Sequence, residues 1–467
     1  MENTKNISSI KTVNPFNNEV VKQFEVMSKD QVNTIISKAD EAFKNWRKTS
    51  FAQRSAIIHK VAEIMRSRKE ELGKLATLEM GKLLRESIAE VELSADIFDY
   101  YASKAESLLA DKKLETPIGK AFISYEPIGV ILSVQPWNFP FYQITRSAAP
   151  NLMAGNTMVL KHASNVPQCA QVMEDIIREA GAPDGVYSNL FIPGKDIESY
   201  VNNPKIKAVT LTGSEPAGAS IAAAAGAKVK KSTLELGGSD PFVVLDDADL
   251  DDAVQTAVYG RMWNAGQVCV SPKRVIVPES KYDEFLQKVK DIFSKLKVGD
   301  PMDPKTDVAP LSSEKAAADV AVQIDKAKAQ GAHILLGGHR VDRPGAFVEP
   351  TLITDITPDM DAYYEEIFGP VFMLYKYKTL EEAIELANAT EFGLGGTVFA
   401  TDKEKAVEVA RQIETGMVYI NHVTGIAPEL PFGGTKGSGY GREQSEAGIY
   451  EFVNEKLIRV TDSKNPY

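Results

Sequence analysis

Apolar residues recur every three or four positions in the first part of the chain. Val32, Ile35, Ile36, Ala39, Phe43 and Trp46, with Lys, Asp and Glu between them, form one stripe of a helix over Gln31–Trp46. The same spacing predicts helices over Arg54–Arg66 and Ile88–Leu109. The period changes at Lys112. From there to Tyr125, polar and apolar residues alternate around Pro117-Ile118-Gly119, which predicts two strands joined by a turn, a protruding hairpin.

From Gly129 short apolar runs alternate with helical stretches. VILSV and TMVLK lead to a helix over Pro167–Ala180 that ends at Gly181; VYSNLFI and IKAVTLTG lead to a helix over Ala217–Ala225 and then STLELGG. Runs rich in Val, Ile and Leu, separated by helices, predict parallel strands covered on both faces, a doubly wound α/β pattern. The dinucleotide fingerprint of three spaced glycines is missing after the first strand. The nearest Gly-rich turn is Thr212-Gly213-Ser214-Glu215-Pro216-Ala217-Gly218, weak evidence by itself. A second αβ series runs from near Asp249 to about Gly425, with helices over Ser280–Leu296 and Lys315–Gln330 and strands at HILLGG and GTVFAT. There is no internal repeat. The tail from Ile449 to Val460 reads as a helical turn and a strand, which is expected to pair with the earlier hairpin across a subunit interface.

Composition narrows the function classes. A chain of 467 residues has room for two or three domains, and a net charge of -11 without a basic stripe argues against nucleic acid or anionic lipid as partner. Two cysteines, Cys169 and Cys269, make no disulfide framework, and no His/Cys spacing suits a metal, so a reducing, cytoplasmic setting and no metal are expected. Residues Met1 to Lys11 are polar and lack a signal-peptide pattern, and no apolar run approaches membrane-spanning length. The expected partners are a small molecule and further copies of the chain.

Three residues have side chains suited to one reaction. Cys269 follows Asn264-Ala265-Gly266-Gln267-Val268, where Gly266 permits an unusual backbone; a thiol alone is more often inert, as Cys169 in its apolar helix is expected to be. Glu235, in a strand-like run before Gly237-Gly238, is a carboxylate whose burial would raise its pKa toward that of a general base. Asn138, in the stiff turn Pro136-Trp137-Asn138-Phe139-Pro140, is an amide able to donate to an oxyanion. Together a thiolate, an amide donor and a carboxylate fit addition to an aldehyde, loss of hydride to a nicotinamide and hydrolysis of the thioester.

The segments PWNFP, TGS, LELGG, GQVC, EEIFGPV and PFGGTKGSGYGRE occur in the order and approximate spacing of the aldehyde dehydrogenase superfamily, which the chain resembles over nearly its whole length. The resemblance implies Cys269 as nucleophile, Glu235 as general base and Asn138 as oxyanion donor. It also implies the fold of that superfamily: a doubly wound cofactor domain (1–111 and 129–235), an αβ catalytic domain (236–436) and a small β oligomerisation part (112–128 and 449–467) that builds a homodimer or homotetramer. For the cofactor, NAD or NADP, it implies Lys161 near the adenine ribose, Gly213 and Ser214 at the pyrophosphate, and Glu366 and Phe368 at the nicotinamide ribose and ring, with Trp137 and Leu236 beside them. Where many members read Lys-Pro-Ala-Glu, this chain reads Lys161-His162-Ala163-Ser164. The carboxylate that repels a 2′-phosphate is absent, and Lys161, with His162 as a second candidate, is placed to attract one.

KHASNVPQCA and LELGGSDPF look similar to the bacterial succinate-semialdehyde branch. There an arginine at the position of Arg146, taken to lie on the same helix as Asn138, binds the far carboxylate of the substrate through its planar fork. Trp263 and Ser147 depart from other members of that branch. With Tyr142, Trp263 supports an alternative, a broad-specificity enzyme with an apolar tunnel. The loop Asn421–Leu430 is expected to line the entrance, with His422 as a polar mouth residue. A non-catalytic cofactor-binding protein is a further alternative, and Glu235 disfavours transfer of the acyl group to coenzyme A.

Overall fold

In a computed structural model, residues 9–461 are described; the first eight and the last six residues, at the two ends of the expected domain assignment, lie outside them. Four helices open the chain after a hairpin of Ser9–Val13 and Val20–Glu25. Lys29–Trp46 and Phe51–Ser67 each start with a capping box, Ser28 with Gln31 and Ser50 with Gln53, which satisfies amides that the first turn leaves free. Lys69–Met80, which the apolar spacing did not predict, ends at Gly81 with φ +88°. Leu84–Leu108 begins four positions before the sequence pattern does.

Six strands form the first sheet, in the spatial order Gly439–Tyr440, Lys231–Glu235, Ile206–Thr212, Val130–Gln135, Thr157–His162 and Tyr187–Asn189. All neighbours are parallel except the short edge strand Gly439–Tyr440. The chain begins at Val130–Gln135, builds outward on one side, then returns to lay Ile206–Thr212 on the other. Such a reversal opens a crevice at the carboxyl ends of the strands. PWNFP follows one of these strands, the turn at Gly213 another, and Glu235 closes a third.

The second sheet has seven strands, Asp240–Val244 and Pro272–Pro278 at its centre, and is parallel except at the edge strand His333–Leu336. The chain crosses from the first sheet to the second through Leu236, Gly237, Gly238 and Ser239. The nucleophile segment, just before Pro272–Pro278, therefore meets the crevice at the seam between the sheets.

Lys112–Leu114 and Lys120–Pro127 form the expected hairpin, and Val453–Val460 pairs with its longer strand from Val453↔Pro127 to Val460↔Lys120. This pairing is made within the chain, which corrects the expectation of an intersubunit pair. Among the described residues the other edge of Val453–Val460 carries no strand, and Leu457 and Val460 on it are exposed. Among the described residues no helix is long and apolar enough to cross a membrane.

Candidate active site

Helix Pro140–Ala154, buried along its whole length, governs one wall of the site. A carboxylate oxygen of Glu90 accepts from the Phe141 and Tyr142 amides at its N-terminus (2.7 and 3.0 Å), and Arg54 donates to the Met153 carbonyl at its C-terminus (2.9 Å). Each charge complements the dipole end it meets. Asn138 precedes this helix rather than lying on it, and Phe139 is the N-cap. The Asn138 amide is oriented from three directions. Its oxygen accepts from Gln143 (3.1 Å), its nitrogen donates to the Gln267 carbonyl (3.2 Å), and its own carbonyl accepts from Asn264 (2.9 Å).

Asn138 lines one cavity and its neighbour Phe139 lines a second. One, of about 290 Å³, gathers Trp137, Asn138, Gly213, Ser214, Leu236, Cys269, Glu366 and Phe368, eight of the residues singled out by sequence. Trp137 and Phe368 meet edge to face in it, with ring centroids 5.8 Å apart. The other, of about 620 Å³, is walled by Phe139, Met262, Trp263 and Ile426, with Arg85 and Glu86 among its lining. Phe139 packs edge to face on Trp263 at 5.1 Å.

Cys269 is reached through three successive residues with positive φ, Asn264, Ala265 and Gly266. The first two are not glycine, so the loop stores strain of about 1–3 kcal/mol per residue. Gly266 is obligatory, because a Cβ there would lie 2.0 Å from the Gly369 carbonyl oxygen. Buried Arg261 holds this junction, donating to the carbonyls of Gly266, Ile367, Gly369 and Val371. No carbonyl among the described residues accepts the Cys269 backbone N–H, which leaves it available beside Asn138 as an oxyanion donor. The Cys269 thiol is pushed up to about 12 by burial; Arg146 and Lys273 oppose the shift, while Glu235 and Glu366 add to it. Cys169 is fully buried with its pKa raised by burial and Glu79, as befits an inert thiol.

Glu235 is buried beside Gly433, 3.9 Å from Arg146, and among the described residues no group makes a well-formed hydrogen bond to its carboxylate. Burial raises its pKa to about 8 against the pull of Arg146, and Glu443 raises it further. It does not line the cavity that holds Cys269.

Arg146 requires a correction. Its guanidinium is fully buried, in ion-pair contact with Glu443 at 2.5 Å; it donates to the Thr212 hydroxyl at 2.7 Å and lies over the Tyr142 and Phe432 rings. It lines neither cavity, and its fork is committed to protein groups rather than offered to a substrate carboxylate. Glu443, which sequence reading missed, lies in the segment GYGRE at the far end of the chain, and its pairing with Arg146 is visible only after folding. Lys273 was missed as well, although a Lys-Arg pair opening an otherwise apolar strand is a signal. His162 is the second correction: it is buried, its pKa is lowered to about 3 by burial, and Nδ1 lies 3.2 Å from the Gln135 carbonyl, so it stays neutral and offers a phosphate no charge. His422 keeps to its loop, Nδ1 2.7 Å from the Val423 carbonyl.

The residues present fit a dinucleotide. Helix Glu215–Gly226 directs its N-terminus, just after Gly213 and Ser214, at the crevice, and no side chain caps it. Glu366 uses one oxygen for Gly238 N–H (3.1 Å) and Lys273 (3.1 Å), and its other oxygen has no donor among the described residues. Gly237 keeps the space beside that second oxygen open, since a Cβ there would stand 2.7 Å from it. At the end of Thr157–His162, outside the smaller cavity, the Lys161 ammonium is nearly buried with no partner among the described residues, and burial lowers its pKa to about 8. A bound nicotinamide nucleotide supplies the hydride acceptor.

A doubly wound sheet whose crevice meets a strained Cys loop, an amide and a buried carboxylate defines a cysteine-dependent oxidoreductase of aldehydes. The family model described as aldehyde dehydrogenase family matches residues 2–458, and the chain belongs to that family. It is 48% identical to the succinate-semialdehyde dehydrogenase [NADP(+)] of Deinococcus radiodurans, over 97% of this chain and 95% of the relative. Its fold is similar to that of the Streptococcus pyogenes succinic semialdehyde dehydrogenase solved with NADP+ (TM-score 0.96, 48% identity, 97% of this chain and 100% of that one). It is also similar to the Staphylococcus aureus betaine aldehyde dehydrogenase with NAD+ (TM-score 0.94, 33% identity, 96% and 91%).

Two outcomes follow. A base with its pKa at about 8 is protonated below that pH and ionised above it, so kcat should rise as pH increases through this region. Glu235→Gln should remove that limb and cost about 10²–10⁴ in kcat, read by initial rates of NAD(P)H formation. Arg146→Met leaves Glu443 and Glu235 without their cation, at a cost of about 3–5 kcal/mol in urea denaturation. It should depress kcat for carboxylated and neutral aldehydes by one common factor; a loss confined to carboxylated aldehydes would return the guanidinium to substrate binding.

Proposed function

We propose that this enzyme oxidises succinic semialdehyde to succinate with NADP+, through a thioester on Cys269 that Glu235 hydrolyses with water. The observation that carries the substrate is the agreement of the near-full-length relatives, at 48% identity, named for that aldehyde and for NADP(+). Cofactor choice rests also on chemistry at the end of Thr157–His162: an unpaired ammonium on Lys161 and a hydroxyl on Ser164, where a carboxylate would repel a 2′-phosphate.

In this reading 1–111 and 129–235 hold the nucleotide, 236–436 carry the nucleophile, and 112–128 with 449–467 form an oligomerisation arm. The exposed apolar side chains of Ile118, Leu457 and Val460 support a homodimer or homotetramer built through that arm. Two unpaired thiols support a reducing, cytoplasmic location. One observation favours a second substrate class. The larger cavity is walled mainly by aromatic and aliphatic side chains, and its cation Arg85 is accompanied by Glu86, Glu90 and Asp307, which suits neutral aldehydes.

Initial rates with NADP+ and with NAD+ against succinic semialdehyde, glutaric semialdehyde and butanal separate the two. The expected result is a kcat/KM at least about 100-fold higher for succinic semialdehyde than for butanal, the scale of two or more lost polar contacts, and a preference for NADP+. Ser164→Glu should raise KM for NADP+ at least about tenfold while sparing NAD+. Equal efficiency with butanal would overturn the substrate, and an unchanged nucleotide ratio in the variant would overturn the role of Ser164.

A further inference from the structure

Lys273 is a fully buried lysine at the start of the strand Pro272–Pro278, four residues after the nucleophile. An ammonium has three hydrogens to donate, and all three are used. It donates to the Val268 carbonyl at 2.9 Å and the Cys269 carbonyl at 2.7 Å, and it meets Glu366 Oε1 at 3.1 Å. The same Oε1 accepts from Gly238 N–H, and Gly238 itself must be glycine, because a Cβ would sit 2.6 Å from the Cys269 carbonyl oxygen. The nucleophile loop and the carboxylate of the cofactor cavity therefore meet at one nitrogen, and the crossing between the two sheets joins them through that carboxylate.

We propose that Lys273 is a positioning residue that locks the nucleophile loop to the cofactor clamp, one ammonium holding both the backbone of Cys269 and the carboxylate that receives the nicotinamide ribose. The inference rests on Cys269 as nucleophile and Glu366 as ribose acceptor. Its first consequence is geometric. With Oε1 occupied, Glu366 is fixed with Oε2 toward the open space beside Gly237, so the clamp is formed before the nucleotide arrives. The second is electrostatic. The charged and titratable groups facing the thiol are Arg146 and Tyr142 from helix Pro140–Ala154, Glu235 from Lys231–Glu235, Lys273 from Pro272–Pro278 and Glu366 from the loop after Tyr363, with Asp240 behind Lys273. Arg146 is already matched by Glu443, which leaves Lys273 as the cation tied directly to the Cys269 segment.

The test alkylates Cys269 with iodoacetamide across pH in the nucleotide-free enzyme and measures NADP+ binding by calorimetry, using Lys273→Met and Glu366→Gln. Lys273→Met removes a cation and should move the alkylation midpoint up by about one pH unit. Glu366→Gln removes an anion from both the thiol and Lys273, so its midpoint should move down. Both should weaken NADP+ at least about tenfold, as expected when a charged hydrogen-bonding partner is lost. Opposite shifts cannot come from general loosening of the fold. Midpoints that stay put, or move together, in folded variants would overturn the proposal; should Lys273→Met fail to fold, an unchanged midpoint in Glu366→Gln overturns it alone. Shifts as expected in an enzyme that forms no NAD(P)H from any aldehyde would sink the aldehyde reading and leave the lock standing.

Discussion

The site depends on how two buried cations are balanced around one thiol. Arg146 faces Glu443 and Glu235 on one side, and Lys273 faces Glu366 on the other. Burying either cation alone would cost several kcal/mol, and burying the carboxylates alone would leave them protonated. Paired in this way, each charge that forms acts on Cys269 with little screening. Burial raises the thiol, the cations lower it and the carboxylates raise it again. Burial, set against the pull of Arg146, holds Glu235 at a pKa of about 8.

The fold makes this balance possible because the site lies on a seam. Glu235 ends a strand of one sheet, Asp240 begins a strand of the other, and only four residues lie between. Groups rooted in two rigid sheets can approach closely without long loops, and Arg261 and Lys273 tie the loops that remain. Asn138 lines the smaller cavity beside Cys269 and the aromatic pair Trp137–Phe368, and the next residue, Phe139, packs on Trp263 in the wall of the larger one.

Much of this was legible along the chain. The α/β alternation, the hairpin after Lys112 and the helices from Lys29 onward follow from local periodicity, which a single sequence displays. Helix Lys69–Met80 escaped because Gly73 interrupts its pattern; that glycine exists to let Ile88 of the next helix approach, a contact no local window contains. Motif order grouped Trp137, Gly213, Leu236, Cys269 and Glu366, and the structure brings them to one cavity. What local reading misassigned were the partners of buried charge. Arg146 was expected to meet a substrate because its partner, Glu443, comes from the far end of the chain, and His162 was expected to carry charge because burial cannot be read at one residue. The strand Val453–Val460 was read correctly as a partner of the hairpin but assigned to the wrong chain.

The central claim is that Cys269 carries the acyl group and Glu235 releases it. The most direct measurement mixes Glu235→Gln enzyme with NADP+ and succinic semialdehyde, quenches in acid and reads intact mass and released NADPH. The account predicts one acyl adduct per chain, mapped to Cys269, with one equivalent of NADPH formed before turnover stalls. Full turnover without a trapped adduct, or an adduct on Cys169, would contradict it.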